Sequence, residues 1–422
     1  MTYDIIIIGG GSAGLMAAIA ASGGDARVLL LDKGSRLGRK LGISGGGRCN
    51  VTNNKELDEL IQHIPGNGRF LHSAFSVYSN RDIIDFFEGL GIALKEEDNG
   101  RMFPVSDKAK TVVDALVSQV RRQGVDIRVD QPVAEVLYAD GCVSGVRLQS
   151  GERIRASRVI VATGGCSVPH TGSTGDGYAW ARAAGHTITE LFPTEVPLRS
   201  SDRFIASREL QGLSLRDVTL SVWNAKGKPV IAHRGDLLFT HFGLSGPIAL
   251  RCSQFVVKEL KKSDTVRLTI DLFPDASAEE LYAQVWRLAE QDPRKALKTL
   301  LRTLLQERLV PVLLAMTQLA EATTFDNLPK AGVQELAKLL KQFPVYAHDT
   351  LSIEEAFVTG GGVHLKEIDP RTMQSKRMRG LYFCGEILDI HGYTGGYNIT
   401  AAFATGHTAG RHAADNPDPG PG

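Results

Sequence analysis

Four consecutive isoleucines, Ile5–Ile8, run directly into Gly9-Gly10-Gly11-Ser12-Ala13-Gly14. An unbroken β-branched run without polar alternation is the pattern of a strand buried on both faces of a parallel sheet. Ser12 to Ser22 is rich in Ala, Leu and Met and reads as a close-packed helix, and Arg27 to Leu31 gives a second buried strand ending at Asp32. Together they form a βαβ unit whose turn carries G-x-G-x-x-G. Gly9 permits the tight turn, Gly11 lets backbone amides reach a pyrophosphate, and Gly14 lets helix and strand pack closely. Ser12 and Ala13 open the helix, whose N-terminus faces the phosphates. An acid at Asp32 suits ribose hydroxyls and repels a 2′-phosphate, so FAD or NAD is expected rather than NADP. The plain alternative is a turn that is glycine-rich for its own sake.

A chain of 422 residues exceeds what one hydrophobic core usually organises, so at least two domains are expected. Lys+Arg 48 against Asp+Glu 47 implies no strongly charged partner. The 45 glycines cluster at 9–14, 45–47, 164–165, 360–362 and 395–396, which points to loops where backbone approaches something closely. Five cysteines, Cys49, Cys142, Cys166, Cys252 and Cys384, lie far apart without a C-x-x-C pair, against a disulfide framework or a zinc site. No metal is expected. The chain opens on an apolar strand rather than a leader, and no run of about 18 apolar residues occurs, so a cytoplasmic, non-membrane protein is expected.

Asn80 to Gly89 and Lys108 to Arg122 carry apolar residues at helical spacing. Short strands follow from Asp126 to Val161, with Asp140-Gly141 a hairpin signal. Between about Pro193 and Pro344 the glycine clusters thin out. Val218 to Trp223 and Val266 to Leu272 read as strands there, and Glu279 to Arg287, Lys295 to Leu305 and Gly332 to Lys341 as amphipathic helices. That stretch has the character of an inserted domain. Ser245 is a candidate N-cap for a helix starting near Ile248.

Two later strands end in small residues: Val159-Ile160-Val161 runs into Ala162-Thr163-Gly164-Gly165, and Leu381-Tyr382-Phe383 into Cys384-Gly385-Glu386. Such returns build the far wall of an FAD site. Gly395-Gly396 then open a helix that runs from Asn398 to about Ala413. Its N-terminus would set partial positive charge against the flavin N1–C2 edge, where negative charge accumulates on reduction.

These motifs, with LGRKLGISGGGRCNVTN at 37–53 and FTHFGLSGP at 239–247, resemble the BaiN/RdsA group of FAD-dependent oxidoreductases, also called YhiN-type or aminoacetone oxidase family flavoproteins. The resemblance runs from Asp4 to about Gly410, and SGGGRCN is its specific element. It implies an α/β fold: a Rossmann-like FAD/NAD(P)-binding domain of the glutathione-reductase and fumarate-reductase kind, interrupted by an insert. The FAD-binding part would be 1–193 with 345–415, and the insert 194–344, β-rich and barrel-like over 194–275 and helical over 276–344. The Pro/Gly-rich tail 416–422 is expected to be disordered. The implied flavin site draws on Lys33, Arg39, Lys40, Ser44, Gly45, Gly46, Gly47, Arg48, Cys49 and Asn50, on Val133, and on Asp389, Tyr397, Asn398 and Ile399, beside the glycine motifs above. The glycines would let backbone approach the cofactor, and the basic residues would offer charge to phosphate.

Catalytic candidates are His391, just before the flavin-facing helix, His241 in the insert, and Cys49, as a reactive thiolate or as a packed thiol beside the cofactor. The leading expectation is an enzyme that reduces an activated C=C, or a similar small organic substrate, at flavin N5 with NAD(P)H, the substrate sitting at the domain junction. No second G-x-G-x-x-G follows a strand, so nicotinamide would visit the flavin directly. An oxidase of a small amine using O2 is the alternative. A third reading is an RNA-binding flavoprotein, raised by Lys366, Arg371, Lys376, Arg377 and Arg379; near-zero net charge and the lack of interleaved aromatics make nucleic acid the less expected partner.

Overall fold

The computed structural model describes residues 2–415; the tail 416–422 lies outside the described residues. Contacts divide the described residues into two compact units, 2–192 with 353–415, and 193–352.

The first unit is built on a seven-stranded sheet. Thr2–Ile8 lies between Val28–Leu31 and Arg153–Val161, Asp126–Arg128 extends the sheet beyond Val28–Leu31, and Leu381–Phe383 pairs with the far side of Arg153–Val161, all parallel. Ile8 pairs with Leu31 on one side and Val161 on the other, and Val161 pairs in turn with Phe383. These four strands therefore end level, and Gly9, Asp32, Ala162 and Cys384 emerge side by side. In open α/β sheets ligands bind outside this carboxyl edge. The hairpin of Val133–Ala139 and Cys142–Leu148 adds antiparallel to the start of Arg153–Val161, turning at Asp140 and Gly141 with φ of 51° and 72°.

The helix Ser12–Ala21 packs against the final helix, Tyr397–Asp415, through glycine. A Cβ on Gly406 would fall 2.3 Å from Ala13 O, and one on Gly410 2.2 Å from Ala17 O. Both members of each pair are four residues apart and advance together, so the helices run parallel at a distance only glycine allows. Buried Arg158 donates to Ala413 O at 2.5 Å, giving the last turn of that helix a cation for its orphan carbonyls.

The second unit is a closed antiparallel barrel in the order Leu198–Ser200, Gly243–Ser245, Pro229–Phe239, Ser214–Trp223, Val266–Asp271 and Phe343–Thr350. Leu220, Phe239, Leu268 and Phe343 are buried within it, against Ile248 and Val256 of the helix Pro247–Leu260. The expected boundary at 344/345 cuts through the strand that closes the barrel. Phe343–Thr350 pairs with both Leu198–Ser200 and Val266–Asp271, so residues up to 352 belong with the barrel. Ser245 is a strand residue rather than an N-cap: Gly246, at φ +89°, caps the helix and Pro247 takes its first position.

Candidate functional site

At the carboxyl edge the glycines of the first turn separate by role. Gly9 has φ +103°, and a Cβ there would lie 2.5 Å from Ala162 O; one on Gly14 would lie 1.8 Å from Gly9 O. A Cβ on Gly11 would meet nothing within 4 Å, so the turn is open at the helix N-terminus. Asp32 braces the turn: its Oδ2 accepts from Gly10 N and its Oδ1 from Gly34 N, both at 2.7 Å. Lys33 reaches the loop before the helix Asp176–Ala183, bonding Thr174 and pairing with Asp176 at 2.5 Å. Val133 begins its strand two residues after Gln131, whose N–H donates to Asp32 O at 2.9 Å.

Of the three basic residues expected to meet phosphate, two are occupied by carboxylates. Lys40 pairs with Glu386 at 2.7 Å. Arg48 grips Glu97 with both terminal nitrogens, at 2.8 and 3.1 Å, and lies over the Phe103 ring at 4.1 Å. Arg39 has no acidic partner among the described residues, and its guanidinium lies against the backbone of Gly34 and Gly172. The Lys40–Glu386 pair belongs to a larger knot. Glu386 Oε1 accepts from Thr359 N at 2.9 Å, while Thr359 Oγ1 accepts from Cys166 N at 2.9 Å and Ser167 N at 3.1 Å. Gly165 must be glycine here, since its Cβ would fall 2.4 Å from Thr359 Oγ1. Gly164, at φ +73°, faces Ser173, and Thr163 Oγ1 is buried without a hydrogen-bond partner among the described residues. Gly385 N donates to Thr405 Oγ1 of the final helix at 3.0 Å. Thr359 was missed in the sequence; the glycines at 360–362 marked the loop but not the hydroxyl before it.

SGGGRCN is a left-handed turn. Gly45, Gly46 and Gly47 have φ of 56°, 68° and 85°, and Cys49 follows at 64°. A Cβ on Gly46 or Gly47 would meet nothing within 4 Å, so backbone conformation rather than crowding within the chain demands glycine there. Ser44 closes the turn, its carbonyl accepting from Cys49 N at 3.0 Å. Burial pushes the Cys49 thiol up to about 12, which leaves a packed thiol and not a thiolate.

Cys49 leads into residues sewn to the other end of the chain. Asn53 Nδ2 donates to Gly395 O at 3.0 Å, the hydroxyls of Thr52 and Thr400 share a bond of 2.8 Å, and a Cβ on Gly396 would lie 2.6 Å from Thr52 O. Asn398 brackets Gly392, accepting from its N–H at 2.7 Å and donating to its carbonyl at 2.9 Å. Tyr397 stacks on His63 at 4.8 Å, Ile399 is half-buried in the first turn, and Asp389 O accepts from Asn67 Nδ2 at 2.8 Å. His391 is buried, bridged through its backbone to Gly66 and set edge-on to Phe192 at 5.4 Å. His241 is exposed in the second unit, edge-on to Phe242. In the basic run, Arg371 pairs with Asp369 at 3.4 Å and Arg377 with Glu367 at 2.6 Å, so part of its charge is spent within the fold.

A family model described as the HI0933-like protein Rossmann domain matches residues 3–412. The chain belongs to the HI0933-like family. Among its relatives, a 3-dehydro-bile acid delta(4,6)-reductase of Clostridium scindens is 32% identical over 97% of this chain and 99% of that protein. A ribosomal RNA dihydrouridine synthase of Escherichia coli is 34% identical over 96% of each. The open conformation of a flavocytochrome c3 fumarate reductase shares the fold with TM-score 0.52 at 20% identity, over 98% of this chain and 78% of that one. As the motifs implied, this HI0933-like protein is an enzyme of the FAD-dependent oxidoreductase class. No helix among its described residues is long and apolar enough to cross a membrane.

Proposed function

We propose that FAD lies extended along the carboxyl edge of the sheet, its diphosphate at Gly9–Gly14 and its ring at the start of the final helix, and that the protein reduces an activated C=C with NAD(P)H as donor. One observation carries the cofactor reading. Gly406 packs on Ala13 in a parallel pair, so the final helix begins eight residues before the level at which Ser12–Ala21 begins, projecting past it on the N-terminal side. At 1.5 Å per residue that is about 12 Å between two helix N-termini pointing the same way. A dinucleotide with anionic charge at its diphosphate, and at its ring when reduced, matches two such positive ends at that spacing. The open space at Gly11 and the exposed backbone at Gly46 and Gly47 fit the same path.

When bound, FAD supplies hydride transfer through N5. The chain's own residues supply orientation. Asp32 holds the first turn in shape with lone pairs left for ribose hydroxyls, and Arg39, without a carboxylate partner among the described residues, is the basic side chain left for phosphate. Lys40 and Glu386 neutralise each other, so their pair acts as a strut rather than a phosphate ligand.

The bile acid reductase relative, matched over its whole length, supports a conjugated C=C as substrate. Anaerobic mixing tests it: NADH or NADPH bleaches the bound FAD, and an α,β-unsaturated ketone restores the colour without oxygen. If neither nicotinamide bleaches it faster than buffer, the donor is wrong. Bleaching by a small amine with colour restored only by O2 supports the oxidase instead. The dihydrouridine synthase relative favours a second reading, in which the C=C is that of uridine in RNA. That relative removes support for excluding nucleic acid. A salt-dependent gel shift and a two-hydrogen mass gain in uridine would decide for it.

A further inference from the structure

The Asn50 carboxamide has no part in the hydrogen bonding that joins its neighbours to the final helix. Asn50 is 6% exposed, and its Oδ1 is buried without a hydrogen-bond partner among the described residues. A buried amide oxygen left so pays its desolvation with nothing in return, so a group that completes it is to be expected. Its position is fixed from behind. The left-handed turn at Gly45–Gly47 brings Asn50 N to 2.9 Å from where a Gly45 Cβ would stand, and Val51 N donates to Met102 O at 2.8 Å. Its direction is fixed from in front: Oδ1 lies 3.1 Å from the Cβ position of Gly396, immediately before the first turn of the 19-residue helix Tyr397–Asp415.

A helix N-terminus presents N–H groups and attracts an acceptor. An amide oxygen beside it attracts a donor. The ligand edge that satisfies both carries a carbonyl and an N–H on adjacent atoms, as the imide edge of a pyrimidine ring does. Resting on the FAD reading above, we infer that Asn50 reads the C2=O/N3–H edge of the isoalloxazine, with Oδ1 accepting N3–H while the helix N-terminus takes the C2 carbonyl. Asn50 then fixes which edge of the ring meets the helix. It also sets a partial negative charge beside the ring, opposing the helix's preference for the reduced anion.

Two measurements test this without relying on turnover. The first compares binding of FAD with FAD methylated at N3, followed by quenching of flavin fluorescence. Wild type should hold the methylated cofactor at least tenfold more weakly, because the methyl group removes the donor and meets Oδ1. Asn50→Ala opens that space and should bring the two affinities within about threefold, with FAD itself held about tenfold more weakly than by wild type. Asn50→Ser serves if the alanine variant does not fold. The second is the two-electron potential of the bound flavin. Asn50→Asp should lower it by about 30 mV, a tenfold weaker relative hold on the reduced form, whereas a merely structural role would give Asp and Ser the same potential. If wild type does not discriminate, or Asn50→Ala and Asn50→Ser keep wild-type discrimination, the inference fails and the FAD reading stands. A protein that holds no FAD overturns both.

Discussion

The glycines of this chain divide into those that make room and those that make a turn, and the two respond differently to a methyl group. Gly14 has Gly9 O at 1.8 Å from its Cβ position, so Gly14→Ala must separate helix from strand and should cost about 3 kcal/mol. Gly46 has open space but φ +68°, so Gly46→Ala should cost only about 1 kcal/mol, the price of a left-handed alanine. Urea denaturation of the cofactor-free protein distinguishes them; equal costs would refute the division. Cys49, buried with its thiol pushed up to about 12, should resist iodoacetamide at pH 8 in the folded protein and react only on unfolding. Spacing made the role of Gly14 legible, because G-x-G-x-x-G fixes what its neighbours are. It could not tell that Arg48 would face Glu97, 49 residues on, while Arg39 would be left without an acid.

The contact between the helices Ser12–Ala21 and Tyr397–Asp415 sets where the second helix begins, and hence where its N-terminus lies. Gly410→Leu, about three and a half turns into the helix, should push it from Ala17. We expect a loss of about 3 kcal/mol in stability and weaker FAD binding, although residue 410 is far from any ring. Unchanged FAD affinity in a destabilised protein would separate the packing from the site. Elements with one strong period were legible: Ile5–Ile8 as a buried strand, Asp140-Gly141 as a hairpin turn. Pro229–Phe239 was missed because only Leu237 and Phe239 of it are buried, and Gly235-Asp236 breaks its apolar pattern. Phe343–Thr350 was missed for another reason: its partners lie about 75 and 150 residues earlier, and nothing local announces a strand that exists to close a barrel. The helix expected over Lys295–Leu305 is only Leu297–Leu301, and the chain starts again at Leu309–Ala315.

Two histidines of the first unit tie the whole fold to pH. His407 stacks on Tyr78 at 4.0 Å, and burial pulls it down to about 4. His186 is lowered too, chiefly by burial, although Glu367 lies 3.1 Å from its Nδ1. The Ser375 hydroxyl accepts from Arg377 N and Met378 N, so its proton must go to His186 Nε2 at 2.6 Å, which keeps the ring neutral. Both groups bind protons more readily in the unfolded chain. Their contribution is therefore complete above about pH 6.5 and is lost as pH falls from there towards 4. The melting temperature should fall over that window, and His407→Phe should flatten the decline; a variant that melts with the same pH profile as wild type would show the assignment wrong.

The order in which the two units appear along the chain has a consequence for biosynthesis. Every strand of the 193–352 barrel has been made before Leu381–Phe383 and the final helix exist. During translation, where folding proceeds from the N-terminal side, the barrel's strands are thus all available while the parent sheet still lacks one strand and the helix that covers it. The parent must wait with Ile5–Ile8 and its glycine turn partly uncovered, so the interval of greatest exposure to aggregation falls after the insert is finished and before Gly406 reaches Ala13.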